Sequence, residues 1–75
     1  MPHFYFHMST NGNVERDVEG IEFKTLEEAR VDAEASLFEM ASEALARGKK
    51  PDALSIDICD EAGKLVAKVN FEQKP

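Results

Sequence analysis

The chain has 75 residues with 15 acidic and nine basic side chains, and its net charge of −6 argues against direct binding to nucleic acid or to an anionic membrane, whose surfaces are also negative. Cys59 is the only cysteine, which excludes an internal disulfide and a zinc cluster of several thiolates within one chain. There is neither a run of about 18 apolar residues nor a secretory leader pattern. We therefore expect a single cytosolic domain over residues 1–75, reinforced by oligomerisation because so short a domain buries only about 60% of its unfolded surface.

The first predicted strand covers residues 3–8, where two kinds of side chain alternate. Phe4, Phe6 and Met8 should face the core, because successive side chains of a strand point to opposite faces of the sheet. The opposite side carries His3, Tyr5 and His7. The following stretch "STNGN" favours a turn, in which Gly12 can adopt a positive φ.

This turn allows two registers for the second strand. A three-residue loop over residues 10–12, with Gly12 left-handed, would pair Met8 with Val14 and keep apolar residues together. A two-residue Asn-Gly turn would instead set Met8 against Glu15. The first register is the prediction. Residues 14–18 are rich in acids, so we expect a short strand at the sheet edge that ends before Gly20.

The clearest element is a helix from about Leu26 to Arg47, roughly 33 Å long at 1.5 Å per residue. Thr25 and Glu28 form a capping-box pattern at its start. At its end Gly48 can serve as the left-handed C′ residue, and Pro51 prevents continuation. The stripe expected to face the sheet consists of Leu26, Ala29, Ala33, Leu37, Met40, Ala41 and Ala44. Phe38 and Leu45 fall beside this stripe, where they would either extend the core or meet a second subunit.

A second hairpin is predicted near the end of the chain. Residues 54–59 and 65–71 both alternate, and a four-residue loop over residues 60–63 with Gly63 left-handed would pair Ile58 with Leu65 and Ile56 with Ala67. In this arrangement Leu65 faces the core.

The order strand, strand, helix, strand, strand predicts an α+β two-layer sandwich, in which one long helix covers one face of a four-stranded, mainly antiparallel sheet. The other face stays uncovered and mixes polar with apolar side chains. We predict it to carry His3, Tyr5, His7, Ser55, Asp57, Cys59, Val66, Lys68 and Asn70. The possible interface residues within this set are His3, Tyr5, His7, Asp57, Cys59, Val66 and Lys68.

The histidines and the cysteine of this face do not indicate a metal or catalytic site. His3 and His7 are about 13 Å apart along a strand, too far to share one metal ion. The register that pairs Met8 with Val14 makes Glu19 and Glu15 their neighbours, which would favour the charged forms of two partly exposed imidazoles. A pH-sensitive face is the alternative interpretation of the same residues. Cys59 has no flanking helix N-terminus, and no basic residue lies next to it except Lys64 across the hairpin, so we do not expect an activated thiol. We therefore expect no catalytic residues, no cofactor and no enzyme activity.

Four stretches, "HFYFH", "VEGIEF", "TLEEARVDA" and "DEAGKLVAKVNF", resemble a family of short bacterial proteins known only as a domain of unknown function, many of them from soil and plant-associated lineages. The resemblance runs through nearly the whole chain and implies an α+β fold of this size, without an established activity. The stretch "TLEEARVDAEASL" is also similar to the helix of HicB-like antitoxin domains, which are small acidic proteins that bind a basic toxin.

The function predicted from these features is that of a self-associating interaction module, most simply a symmetric dimer that forms through the uncovered sheet face or an exposed strand edge. The alternative is an acidic antitoxin or adaptor that binds a basic protein partner.

Overall fold

The computed structural model describes residues 2–10, 13–49 and 54–71 of the chain. Their elements in chain order are β1 (His3–Thr10), β2 (Asn13–Glu15), β3 (Ile21–Glu22), α1 (Leu26–Ala46), β4 (Ser55–Cys59) and β5 (Leu65–Asn70). The predicted α+β fold is confirmed, because one long helix packs on an open antiparallel sheet. The sheet has one more short strand than expected, since the predicted second strand is divided into β2 and β3.

The sheet is built around β1 and β4. The strand order is β2, β1, β4, β5, and β3 pairs with β1 on the same side as β2. All four strand pairings are antiparallel. One outer side of the sheet is therefore formed by two very short strands in succession, and the other by the six residues of β5.

The predicted register of the first hairpin is wrong. Met8 pairs with Glu15 and Thr10 with Asn13, which is the register that a two-residue turn requires. Residues 11–12, and with them the predicted conformation of Gly12, lie outside the described residues. The prediction relied on burying the valines of the second strand, yet Val14 is 60% exposed at the sheet edge. The apolar area buried at this edge is thus too small to select the register, and the hydrogen bonds of Asp17 to β1 lie in the register that the structure adopts.

The helix follows its prediction closely. Thr25 Oγ1 accepts the Glu28 N–H at 3.1 Å, and the Glu28 carboxylate in return accepts the Lys24 N–H at 3.3 Å. Arg47 is the C-cap, and Gly48 follows with a φ of 75° as the left-handed residue. The role predicted for Pro51 falls outside the described residues.

The core lies between α1 and the strands. The small side chains of Ala29, Ala33 and Ala41 are buried on the helix and let its axis approach the sheet, while Leu37 fills the centre of the contact. The buried cluster consists of Phe4, Ala29, Ala33, Leu37, Ala41, Leu54, Ile56, Ile58 and Val69. Phe38 and Leu45 are 67% and 52% exposed. They therefore do not extend the core, which was one of their two predicted roles.

The hairpin of β4 and β5 is present, but its predicted register is wrong by two residues. Ile56 pairs with Val69 and Ile58 with Ala67. A bulge then follows, so that Cys59 pairs with Leu65 and Val66 becomes the extra residue. The tight turn after β4 has the expected left-handed Gly63, with a φ of 83°. A shift by two keeps the same faces, which explains why alternation alone did not reveal it.

Candidate functional site

The sheet face opposite α1, here called the open face, presents three rows of side chains across β1, β4 and β5. Strand pairing defines these rows, because directly opposed residues point to the same face. They are Tyr5, Cys59 and Leu65; His7, Asp57 and Lys68; and Ser9, Ser55 and Asn70. The structure thus brings five of the predicted interface residues together in two adjacent rows, while His3 lies further along β1.

Val66 does not join these rows as predicted. The bulge lets it pack, partly buried, against the core cluster. Leu65, which was predicted to face the core, instead pairs with Cys59 and is 53% exposed. The physical reason is that an extra residue reverses the alternation of every side chain on one side of the bulge. The open face therefore gains Leu65 as its large exposed apolar group and loses Val66.

Asp57 and Lys68 form the charged centre of the open face. Lys68 Nζ is 3.9 Å from Asp57 Oδ1, and that oxygen is buried and has no hydrogen-bond partner in the described structure. The Asp57 side chain is 36% exposed and the Lys68 side chain 55%, so water reaches both side chains apart from Oδ1, and the pair stabilises the fold by less than about 1 kcal/mol. Beside it Cys59 is buried with a free thiol, although it lies on the face away from the helix.

The histidines have other neighbours than those predicted. His3 Nε2 lies 3.7 Å from Glu22 Oε1, because β3 pairs with the start of β1. His7 Nδ1 accepts the backbone N–H of Asp17 at 3.1 Å. The predicted neighbours Glu19 and Glu15 belong to the register that the structure does not adopt.

Asp17 is the residue of this region that the sequence reasoning missed. It interrupts the strand between β2 and β3, and its carboxylate takes the place of a strand partner for β1. Oδ2 accepts the Phe6 N–H at 3.2 Å, while Oδ1 accepts the N–H groups of Glu19 and Gly20, both at 3.1 Å. The sequence does contain a signal for this turn, namely the spacing Asp-x-x-Gly. The acid can cap a turn, and the glycine can adopt the positive φ that Gly20 shows.

The hydrogen bonds around Asp17 also set its acidity. Burial alone would raise the pKa of the carboxyl. The hydrogen bonds that the backbone N–H groups of Gly20, Phe6 and Glu19 donate to it, together with the neighbouring His7, outweigh burial and lower the pKa below its usual value. The ionised carboxylate is thus the form that this turn stabilises.

The two outer sides of the sheet differ in their free backbone groups. The Phe71 N–H donates to the Leu54 carbonyl at 3.0 Å, which makes these two residues a hydrogen-bonded pair. Because such pairs alternate along an antiparallel ladder, Val69 directs its backbone groups towards β4, and Lys68 and Asn70 direct theirs outward. Within the described part of the chain, no strand pairs with this outer side of β5, here called the β5 edge.

A depression of about 230 Å³ lies at one end of the open face. Its lining consists of Tyr5, His7, Asp17, Cys59, Asp60, Glu61 and Gly63. It is smaller than the usual ligand pocket of about 300 Å³ or more. Across residues 2–10, 13–49 and 54–71, no three His, Cys, Asp or Glu side chains come close enough together to hold a metal ion.

Among the residues that the structure describes, the fold and this surface define a small α+β protein in which one helix covers one face of a sheet and no element covers the other face or the β5 edge. A family model described as a domain of unknown function (DUF6894) matches residues 3–72, and the chain belongs to that family. No curated protein and no solved structure matches the chain significantly. The one helix of the described residues is not long and apolar enough to cross a membrane.

Proposed function

We propose that the chain is a non-catalytic interaction module of the bacterial cytoplasm that forms a homodimer, with β5 of one copy pairing with β5 of the other. The supporting observation is the contrast between the two outer sides of the sheet. On the side of β1, two short strands and the Asp17 carboxylate occupy the backbone groups. On the β5 edge the outward groups of Lys68 and Asn70 are available to another strand.

The open face supports a dimer less well than this edge does. Two of its three rows consist of polar and charged side chains, and Cys59 in the remaining row is already buried. Tyr5 is also partly covered, because its ring lies close to the backbone of Gly20. Burying the pair of Asp57 and Lys68 would add a desolvation cost without a matching apolar gain.

The test is sedimentation equilibrium over a range of protein concentrations, with two substitutions at one position. Lys68→Pro removes an N–H that points outward and so leaves the ladder with β4 intact, but it prevents a partner strand from pairing. Lys68→Ala removes the side chain and its charge and keeps the N–H. We expect a dimer for the unmodified chain and for Lys68→Ala, and a monomer for Lys68→Pro.

Circular dichroism shows whether each variant keeps its fold, and Asn70→Pro provides a second outward position should Lys68→Pro not fold. A monomeric unmodified chain at high concentration would overturn the proposal. Equal loss of the dimer in Lys68→Ala and Lys68→Pro would overturn the choice of the edge, because the side chains of the open face would then carry the contact.

A second candidate function is that of an acidic adaptor or antitoxin for a basic protein. It is supported by the net charge of −6 and by the exposed acids of α1, among them Glu39 and Glu43. The similarity of the helix start to HicB-like antitoxins points to a toxin as that partner. Binding of a purified basic toxin should weaken steeply with salt and in Glu39→Lys combined with Glu43→Lys; binding that is indifferent to both changes would exclude this function.

A further inference from the structure

Three large apolar side chains stand exposed along one side of α1. Val31, Phe38 and Leu45 are 58%, 67% and 52% exposed, and they follow one another at intervals of seven residues. Seven residues are nearly two helical turns, so the three side chains form one line along the helix, here called the outer helix stripe. Single exposed apolar residues need no explanation, but an aligned set of three on one element marks an interaction surface.

The outer helix stripe lies on the same flank of the molecule as the β5 edge. A groove between helix and sheet is lined by Arg30, Glu34 and Leu37 from α1 and by residues 68–71 from β5 and its continuation. Glu34 therefore marks the flank of α1 that is turned to the β5 edge. Phe38 follows one turn later, and residues four apart lie on the same helix face, so the stripe continues this flank outward.

We infer that a second copy of the chain covers both features at once, with the two β5 strands antiparallel and the two α1 helices antiparallel around a two-fold axis near Phe38. This inference rests on the proposed dimer and adds a helix–helix contact to the pairing of the two β5 strands. A two-fold axis perpendicular to the sheet reverses strands and helices together. Since α1 packs on β4 and β5, joining two β5 strands at a spacing of about 4.8 Å brings the helices within packing distance of about 10 Å.

The charges of α1 favour this antiparallel arrangement. The first turn carries Glu27 and Glu28, whereas Lys49 follows the C-cap; Arg47 lies on the helix side opposite Phe38 and pairs with Glu43 of its own chain. Antiparallel helices place the acidic start of each copy beside the basic end of the other, and they also oppose the helix dipoles favourably. A parallel arrangement would set acid against acid. The stripe also supplies apolar area, which a strand edge by itself lacks and which a stable dimer needs at about 800 Å² per partner.

The dimer is tested at its centre with two substitutions that each replace an exposed apolar residue by an acid. Phe38→Glu lies in the outer helix stripe, and Val18→Glu lies in the loop between β2 and β3, where Val18 is 85% exposed. The symmetric interface would carry the Phe38→Glu change twice, so we expect the dimer Kd to rise at least about 30-fold. Val18→Glu should leave the Kd within about twofold.

The orientation of the helices is tested by disulfide cross-linking under mild oxidation. Phe38→Cys should cross-link to itself, because the axis passes near this position. Val31→Cys and Leu45→Cys should cross-link to each other in a mixture and much less when each is alone, since residues 31 and 45 are equally far from 38. The unmodified chain, whose Cys59 is buried, and Val18→Cys serve as controls.

The results separate the two proposals. A dimer that is lost in Lys68→Pro but unchanged in Phe38→Glu would keep the proposed function and overturn the helix contact. Self-cross-linking of Val31→Cys and of Leu45→Cys, with none between them, would overturn the antiparallel arrangement. A monomeric unmodified chain would overturn both proposals together.

Discussion

Replacing Asp17 by alanine is predicted to destabilise the chain by about 2 kcal/mol. The carboxylate accepts three backbone hydrogen bonds, from Phe6, Glu19 and Gly20, at 3.1 to 3.2 Å. Each such bond stabilises a protein by about 0.5 to 1.5 kcal/mol, and water can replace part of the loss because the loop is only partly buried. In a domain of this size the change corresponds to a fall in Tm of roughly 8 to 16 °C.

Asp17→Asn should lose about half as much stability. Its amide oxygen can still accept from Glu19 and Gly20, but its NH₂ group then faces the Phe6 N–H, and two donors cannot pair. Urea unfolding monitored by circular dichroism measures both changes. Glu61→Ala is the control, because it removes a loop carboxylate for which the described structure shows no hydrogen bond.

The contribution of Asp17 should also depend on pH with a defined sign. Its folded pKa is lowered, so the stabilisation is fully present above the unfolded pKa of about 3.9 and is lost as the pH falls through the lower folded pKa. The stability difference between the unmodified chain and Asp17→Ala should persist at pH 5 and shrink below about pH 4. A difference at pH 7 no larger than that of Glu61→Ala, or one that does not shrink below about pH 4, would refute the reasoning.

Three further stability changes follow from the packing, each measurable by urea unfolding. Leu37→Ala should cost about 2 to 5 kcal/mol, because Leu37 is 2% exposed at the centre of the core; a cost below 1 kcal/mol would contradict its central position. Gly20→Ala should cost at least about 2 kcal/mol, because φ is 73° and the new Cβ would stand 2.9 Å from Tyr5 Cε2; a neutral effect would show that the ring moves freely. Thr25→Ala should cost about 1 kcal/mol through loss of the bond to the Glu28 N–H, and Thr25→Ser should restore most of it.

The candidate site was predictable only in part. Tyr5, His7, Asp57, Cys59 and Lys68 share the open face because strand alternation is a local property that the sequence displays. Which of them stand side by side depends on register, and both predicted registers were wrong. Apolar pairing was used to choose them, although at sheet edges little apolar area is buried and turns, bulges and side-chain caps decide instead.

The helix and the fold class could be predicted from the sequence alone. Capping residues, apolar periodicity and strand alternation are local signals, because each depends only on residues a few positions apart. Thr25, Gly48 and Gly63 illustrate this, since each occupies the predicted position. The division of the second strand by Asp17, the bulge at Val66 and the uncovered β5 edge were decided only in three dimensions. These features depend on which distant backbone groups need a hydrogen-bond partner, and that need arises only once the strands have been brought together.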